Sequence, residues 1–467
     1  MHIHVYYSSL NRFDQANGKP FSGSPGDLFL HRTFDLHKDI TYDVRVIDTA
    51  DESKPLLPNS LILGLGAKAC ARLAPDDNLN KHRGYCLTYQ THPTIVTYDP
   101  ISCWEFKLLD EDEDDDDADG DEKDVARTKR SNYLFWSLAD FRKLLQPRKP
   151  IPVYKKFIRP PVDMFVTWAA NLSGHVVLDI ETRVQDHTLD CIGLSSVDKQ
   201  EAYIVPLYTP NNALAYSQHN TTKIWRALYS LLTNPNVTIV GHNLSFDLSI
   251  LSALYHLPLP PKIYDTMLAM HREFPMVDKS LSHAISYYTS ARRNHKGDIR
   301  TNTTDANFRE LLEYNAEDLI WTAEVMKGQA LNTDPALQVA REGANRLQLL
   351  TLVMSLTGIA IDTSKLEPTK DALRLKYAQL LRCIQILTEN NEFNPNSPKQ
   401  VGEYFYDKLN YPVIEVTKTG ARSTGAKTMY KLQLLQDNPL IPLIIEAKET
   451  KKSLSMFEAQ LYERQKI

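Results

Sequence analysis

At 467 residues, with 42% apolar and 24% charged residues, the chain has the composition of a soluble globular protein with room for two to four cored domains. No run approaches the ~18 apolar residues of a membrane span, and Met1-His2-Ile3-His4-Val5 lacks the basic and apolar parts of a secretion signal. This argues against membrane and secreted classes and for a cytoplasmic protein. The net charge of -5 is uneven: twelve acidic residues against one lysine between Asp110 and Asp124 put -11 there and leave +6 elsewhere, a mildly basic body suited to nucleic acid.

Five cysteines, at 70, 86, 103, 191 and 383, form no Cys-x-x-Cys pair, which reads as reduced thiols and not as a disulfide scaffold or zinc site. In chain order, Leu61–Ala69 reads as a strand, a tight glycine turn and a helix start. Gly64-Leu65-Gly66 lacks the third glycine and the Lys-Ser/Thr of a phosphate loop. Thr94–Asp99 reads as a second strand ending at Pro100, and Leu138–Leu144 as a helix. Residues 109–124 are an acidic insertion, either a solvated segment or a mimic of a phosphate backbone. The sequence of strand-glycine-helix, Arg83-Gly84, strand and final helix resembles the C-terminal half of the uracil-DNA glycosylase fold. The family's His-Pro stands here as Asp99-Pro100, and its water-activating motif is not recognisable. The resemblance therefore implies that residues 1–145 are a degenerate glycosylase-like α/β domain without glycosylase chemistry.

Prolines at 147, 150, 152, 160 and 161, among basic residues, mark 146–161 as a semi-rigid linker. An α/β domain is expected over 162–330. Val176–Thr182 is a buried strand whose Asp179 and Glu181 are two apart, so both leave one face. Two such acids repel unless a cation neutralises them, and oxygen ligands suit Mg²⁺ or Mn²⁺. Asp190–Val197 and Glu201–Pro206 should complete an antiparallel meander. Val237–Gly241 is a further strand, emptying into a helix that Asn243 can start and that carries Asp247. Phe308–Met326 has helical periodicity and ends near Gly328, with Tyr314 and Asp318 at i, i+4 on one face.

Asp-x-Glu, Asn-x-x-x-Asp and Tyr-x-x-x-Asp in this order resemble the proofreading exonucleases of the DEDD group, in their tyrosine-bearing branch, and most of all the exonuclease domain of family A DNA polymerases. Tyr264-Asp265-Thr266-Met267-Leu268 resembles the segment between the second and third motifs. The resemblance implies a ribonuclease H-like mixed sheet covered by helices. It also implies 3′–5′ hydrolysis of terminal nucleotides with two Mg²⁺ or Mn²⁺ ions ~3.5–4 Å apart. Asp179, Glu181, Asp247 and Asp318 would be the metal ligands. Tyr314, helped by Glu181, would orient the attacking water. Asn243 would contact the terminal nucleotide; His242 beside it could do the same, although a turn histidine needs no such role.

Over 335–467 a helical region is expected. Ala336–Leu356 is one helix stopped by Gly358, Ile359–Asp362 a short strand, and Ser364 opens a helix reaching about Asn390. Ser397 caps a helix with Pro398 at its first position, and Leu443–Tyr462 is the last helix. The loop Thr417–Lys427 mixes hydroxyls, glycines and cations, the composition of a grip on phosphates. Phe393–Gly402 followed by Lys418-Thr419-Gly420 resembles the thumb of family A polymerases, which implies DNA contact by Lys418, Thr419, Arg422 and Lys427. The palm and fingers of that family have no counterpart in the sequence. The reading is a proofreading and thumb part of a split polymerase in DNA replication, acting on primer 3′ end and template, with synthesis on a separate palm/fingers chain. Two alternatives are an exoribonuclease resembling RNase D and a non-catalytic DNA-binding assembly subunit of a replication complex.

Overall fold

The computed structural model describes residues 1–7, 39–47, 54–74, 78–99, 135–183, 186–294, 307–360, 362–416 and 421–457. The acidic insertion, Lys418 and Thr419 lie outside them. The chain divides into two compact units, Met1–Thr357 and Gly358–Ile467.

The first unit contains two sheets. The N-terminal one comprises β1 (His2–Tyr7), β2 (Thr41–Val46), β3 (Leu61–Leu65), β4 (Leu87–Tyr89) and β5 (His92–Thr97), in the order β2-β1-β3-β5-β4. All neighbours are parallel except the edge strand β4. Its central strands are buried almost end to end, as expected for a parallel sheet covered on both faces. Gly66, at φ 86°, turns β3 into α1 (Ala67–Leu73), a conformation only glycine adopts without strain. α2 (Leu79–His82), capped by the Asn78 side chain, and α3 (residues 135–144) follow.

The second sheet has the order β11-β10-β7-β8-β9-β6. Its strands are β6 (Lys155–Ile158), β7 (Gly174–Thr182), β8 (Leu189–Ser196), β9 (Glu201–Pro206), β10 (Val237–Gly241) and β11 (Ile263–Asp265). β7, β8 and β9 form the expected antiparallel meander. β10 and β11 extend it in parallel beyond β7. The segment expected to be wholly linker contains β6, paired parallel to β9. An edge position tolerates prolines on either side of a strand. The helices are α4 (Val162–Ala170), α5 (Gln218–Leu232), α6 (Leu244–Ala253), α7 (Thr266–Glu273), α8 (Leu281–Tyr288), α9 (Phe308–Ala330) and α10 (Pro335–Thr357).

The strand period decides which face of β7 carries the acids. Val176, Leu178 and Ile180 pack with Phe165, Ile224 and Leu228 of α4 and α5. Val177 points the other way, into a cluster with Leu312, Ala316, Leu319 and Ala323 of α9. Asp179 and Glu181 share the parity of Val177 and so face α9. α9 does not stop at Gly328 as expected. It runs on to Ala330, and Gly328 instead lets α8 approach, since a Cβ there would stand 2.6 Å from the Tyr288 carbonyl oxygen.

The N-terminal sheet shares a core with helices of the following segment, in which Tyr6, Ile62, Cys70 and Trp136 meet Leu281, Ala284 and Ile285 of α8. A buried polar joint reinforces it. Arg83 donates from Nη1 to both Asp140 oxygens, at 3.1 and 3.0 Å, lies 4.1 Å over the Trp136 ring, and donates from Nη2 to Ser286 Oγ. Thr97 Oγ1 donates to Asp140 Oδ2 at 2.7 Å.

The second unit is helical, with α11 (Thr363–Thr388), α12 (Pro398–Gly402), a π-helical turn (Glu403–Lys408), α13 (Ala426–Leu435) and α14 (Leu440–Ser455). Ile384, Phe393, Phe405, Met429, Ile441 and Ile444 form its core. Ser397 caps α12 as expected, accepting from the Gln400 N–H. The expected strand over 359–362 is absent among the described residues: Ile359 is 91% exposed and no neighbouring strand offers it a ladder. The far end of the expected last helix, from residue 458, lies outside the described residues.

Candidate active site

Three carboxylates converge between β7 and α9. Ligand oxygens of Asp179, Glu181 and Asp318 all lie within 4.8 Å of one another. The strand brings the first two and α9 brings the third, which is 4% exposed. Tyr314, half-buried, stands one turn before Asp318 on α9. The register of β7 against β8 shifts between Glu181 and Thr182, and such a bulge re-aims the side chains beside it. The displaced Asp190 is held by Arg183 Nε at 2.9 Å.

Asp247 joins them from the first turn of α6. Its Oδ1 accepts the Ile180 backbone N–H at 3.0 Å, between the two acids of β7. Burial, then the charges of Asp265 and Asp318, push its pKa up to about 8. An oxygen-only set of four acids of this kind fits Mg²⁺ or Mn²⁺.

The turn that delivers Asp247 is built by Asp265. Its Oδ1 accepts the Asn243 N–H at 3.1 Å and its Oδ2 the Leu244 N–H at 2.9 Å. α10 braces Asp265: Gln348 Nε2 donates to Oδ2 at 2.6 Å, and Asn345 Oδ1 accepts the Asp265 N–H at 3.0 Å. Asn243 occupies the expected first position of α6 in the left-handed conformation, φ 69°. Its side chain is exposed and makes no capping bond. His242 is used structurally, with Nδ1 2.9 Å from Thr266 Oγ1 and Nε2 2.7 Å from the Lys279 carbonyl.

Residues 167–330 match the family model described as 3′-5′ exonuclease, and residues 363–466 match that of DNA polymerase family A. Both segments are thus similar to family A DNA polymerases. The chain is 28% identical to DNA polymerase I of Helicobacter pylori over 309 residues, 64% of this chain and 32% of that one. It is 34% identical to DNA polymerase I of Geobacillus stearothermophilus over 137 residues, 29% of this chain and 15% of that one. It therefore spans about a third, or less, of the length of the curated relatives it matches. Among solved structures, the POL domain of Pol1 from M. smegmatis in complex with DNA primer-template and dNTP aligns with TM-score 0.48 and 16% identity, over 65% of this chain and 49% of that one.

Within the segment that matches the exonuclease model, the site has one element that the motifs do not reveal. Asn315, fully buried beside Tyr314, donates from Nδ2 to Asp179 Oδ2 at 2.7 Å. Its Oδ1 is buried without a hydrogen-bond partner among the described residues. The room for it comes from Gly193, opposite Asp179 on β8, where a Cβ would stand 2.0 Å from Asn315 Oδ1. An isolated glycine inside a strand is a sequence signal of close approach, and it was available here.

The expected DNA contacts belong to the second unit. Arg422 forms an ion pair with Asp407, its Nη2 2.7 Å from Oδ2, and its guanidinium lies 5.4 Å from the Tyr406 ring centroid. Lys427 is exposed in the first turn of α13. A second cluster with metal-ligand chemistry, His2, His4 and Asp43, lies on β1 and β2. There His4 Nε2 accepts the Leu57 N–H at 3.0 Å, so its proton sits on Nδ1 and is donated to Asp43. That arrangement ties loop to sheet and leaves His4 no lone pair to offer a cation.

Proposed function

We propose that this chain removes nucleotides from DNA 3′ ends as a proofreading exonuclease of the tyrosine-bearing DEDD type. The observation that carries the reading is the convergence of Asp179, Glu181 and Asp318 beneath α9, with Asp247 fixed on the β7 backbone. Asp179, Glu181 and Asp318 would hold divalent ions, with Asp247 serving the second of two. Such ions supply stabilisation of charge on the attacking and leaving oxygens. Asn315 holds the Asp179 carboxylate in place. Tyr314 and Glu181 orient the attacking water. Asn243, and Phe246 at 43% exposure on the same helix end, receive the terminal nucleotide. A frayed, mispaired end costs less to unstack into the site than a paired one, which gives selectivity.

Arg83 is consumed by Asp140, which supports reading residues 1–145 as a structural body without glycosylase chemistry. We read the second unit as thumb-like, gripping primer–template through Lys418, Thr419, Arg422 and Lys427. Palm and fingers would reside on a separate chain, in the cytoplasm, where the free thiols of Cys70, Cys86, Cys191 and Cys383 are at home.

The test uses primer–templates with matched or mispaired 3′ ends, and an RNA strand of the same sequence, with Mg²⁺. Stepwise loss from the DNA 3′ end, faster when mispaired, supports the reading; preference for RNA overturns it. Primer extension by this chain alone would overturn the split arrangement.

A further inference from the structure

A cavity of about 380 Å³ lies where α3 and the segment after it meet α8 and the end of α9. Its walls bring Arg142, Lys143, Arg148 and Lys149 together with Phe274 and Tyr287, and no carboxylate among the described residues lines it. The acids on the surrounding elements are already engaged. Asp140 is held by Arg83 and Thr97. Glu273 accepts from Arg341 at 2.6 Å and from the Tyr288 hydroxyl at 2.8 Å.

The two half-buried cations rest on neutral acceptors. Lys143 Nζ donates to the carbonyls of Gly84, at 2.7 Å, and Ser286. Arg148 donates to the Leu87 carbonyl and, at 3.2 Å, to Thr88 Oγ1. Burial draws the Lys143 pKa below its usual value against the opposing pull of Cys86 and Asp140, with Arg83 and Arg148 adding to the lowering. Burial and Arg292 do the same for Arg148. Arg142 and Lys149 are exposed beside them, at the rim of the same cavity. Gathering like charges around a half-closed space costs stability unless an anion enters. The opposite wall is aromatic: Tyr287 stacks on Phe135 at 6.0 Å and meets Phe274 edge-on at 5.0 Å.

We propose that this cavity is a nucleotide-binding site, with phosphate held by Arg142, Arg148 and Lys149 and the base against Tyr287 and Phe274. Its volume lies within the ~300–1,000 Å³ range of ligand pockets, and cations interleaved with rings are the chemistry of nucleotide recognition. Gly328 on its wall is ten residues along α9 from Asp318, about 15 Å at the helical rise, so it is separate from the carboxylate centre. The site stands or falls without the nuclease reading. Its nucleotide comes either free or as part of a strand.

The test is binding to the full chain in EDTA, which stops metal-dependent hydrolysis. A fluorescein-labelled oligodeoxynucleotide is followed by anisotropy, with dAMP and inorganic phosphate as competitors. Arg142→Glu/Lys149→Glu is compared with Lys199→Glu/Arg226→Glu, an equal charge change at exposed positions elsewhere. Weakening on the order of tenfold or more in the first variant only supports the site. Competition by dAMP assigns it to free nucleotides, and its absence to a strand. Equal weakening in both variants, or phosphate competing as well as dAMP, overturns it. On the unaltered chain, bromodeoxyuridine in the oligonucleotide should photo-crosslink to Tyr287 or Phe274. Crosslinks confined to other peptides, or no binding of oligonucleotide or dAMP, also overturn it.

Discussion

One methyl group at Gly193 sets β8 against α9. In Gly193→Ala the new Cβ would lie 2.0 Å from Asn315 Oδ1 and 2.6 Å from Leu319 Cδ1, both in buried side chains. Leu319 can swing its terminal methyl; Asn315 can move only by giving up its 2.7 Å bond to Asp179. Overpacking of this kind costs about 1–3 kcal/mol, and a hydrogen bond to a charged group about 1.5–3 kcal/mol. The combined loss of stability should be about 3–5 kcal/mol. Releasing Asp179 should slow hydrolysis roughly 10- to 100-fold, at about 1.4 kcal/mol per tenfold. Asn315→Ala should lose the same rate without the overpacking. In the double variant the conflict disappears, so its stability should exceed the additive expectation by about 1 kcal/mol or more, while its rate stays at that of Asn315→Ala. Urea denaturation and single-turnover release of a labelled 3′ nucleotide measure the two quantities. Additive stability losses, or a wild-type rate in Asn315→Ala, would refute the proposed support of Asp179.

In EDTA, Asp247 should make the protein less stable as pH rises. Its folded pKa of about 8 lies above the ordinary carboxyl value, so the folded state keeps a proton that the unfolded chain releases near pH 4. The stabilisation is complete below pH ~4 and lost progressively up to pH ~8, by at most about 1.4 kcal/mol per pH unit. Asp247→Asn, which keeps an oxygen for the Ile180 N–H, should flatten that slope in urea midpoints taken at pH 5, 6.5 and 8, and identical slopes would argue against it. Asp140→Ala leaves the 2%-exposed Arg83 side chain without its carboxylate and should cost about 3–5 kcal/mol. Because Arg83 also reaches Ser286 on α8, and the N-terminal sheet shares a core with that helix, residues 1–357 should still unfold in one transition; a separate early transition of the N-terminal sheet would contradict the shared core.

The carboxylates were legible because local rules determine them. A strand period of two put Asp179 and Glu181 on one face, and the helical period aligned Tyr314 with Asp318. The support around them was not, because it depends on which elements stack. Asn315 matters only because α9 crosses Gly193, and Asp265 only because α10 delivers Gln348 and Asn345 to it. β6 was hidden by its flanking prolines, whose penalty vanishes at a sheet edge. Ile359–Asp362 had the apolar character of a strand, but among the described residues no strand pairs with Ile359 or Ala360. Gly328 resembled a helix end because glycine commonly ends helices; here it admits the Tyr288 backbone.

The most direct measurement is single-turnover release of the terminal nucleotide from a 3′-end-labelled, mispaired primer–template with Mg²⁺, comparing the unaltered chain with Asp179→Ala and Asp318→Ala. Metal-dependent release by the unaltered chain, lost in both variants while oligonucleotide binding persists, is the expected result. Wild-type release by either variant would contradict the assignment of the site.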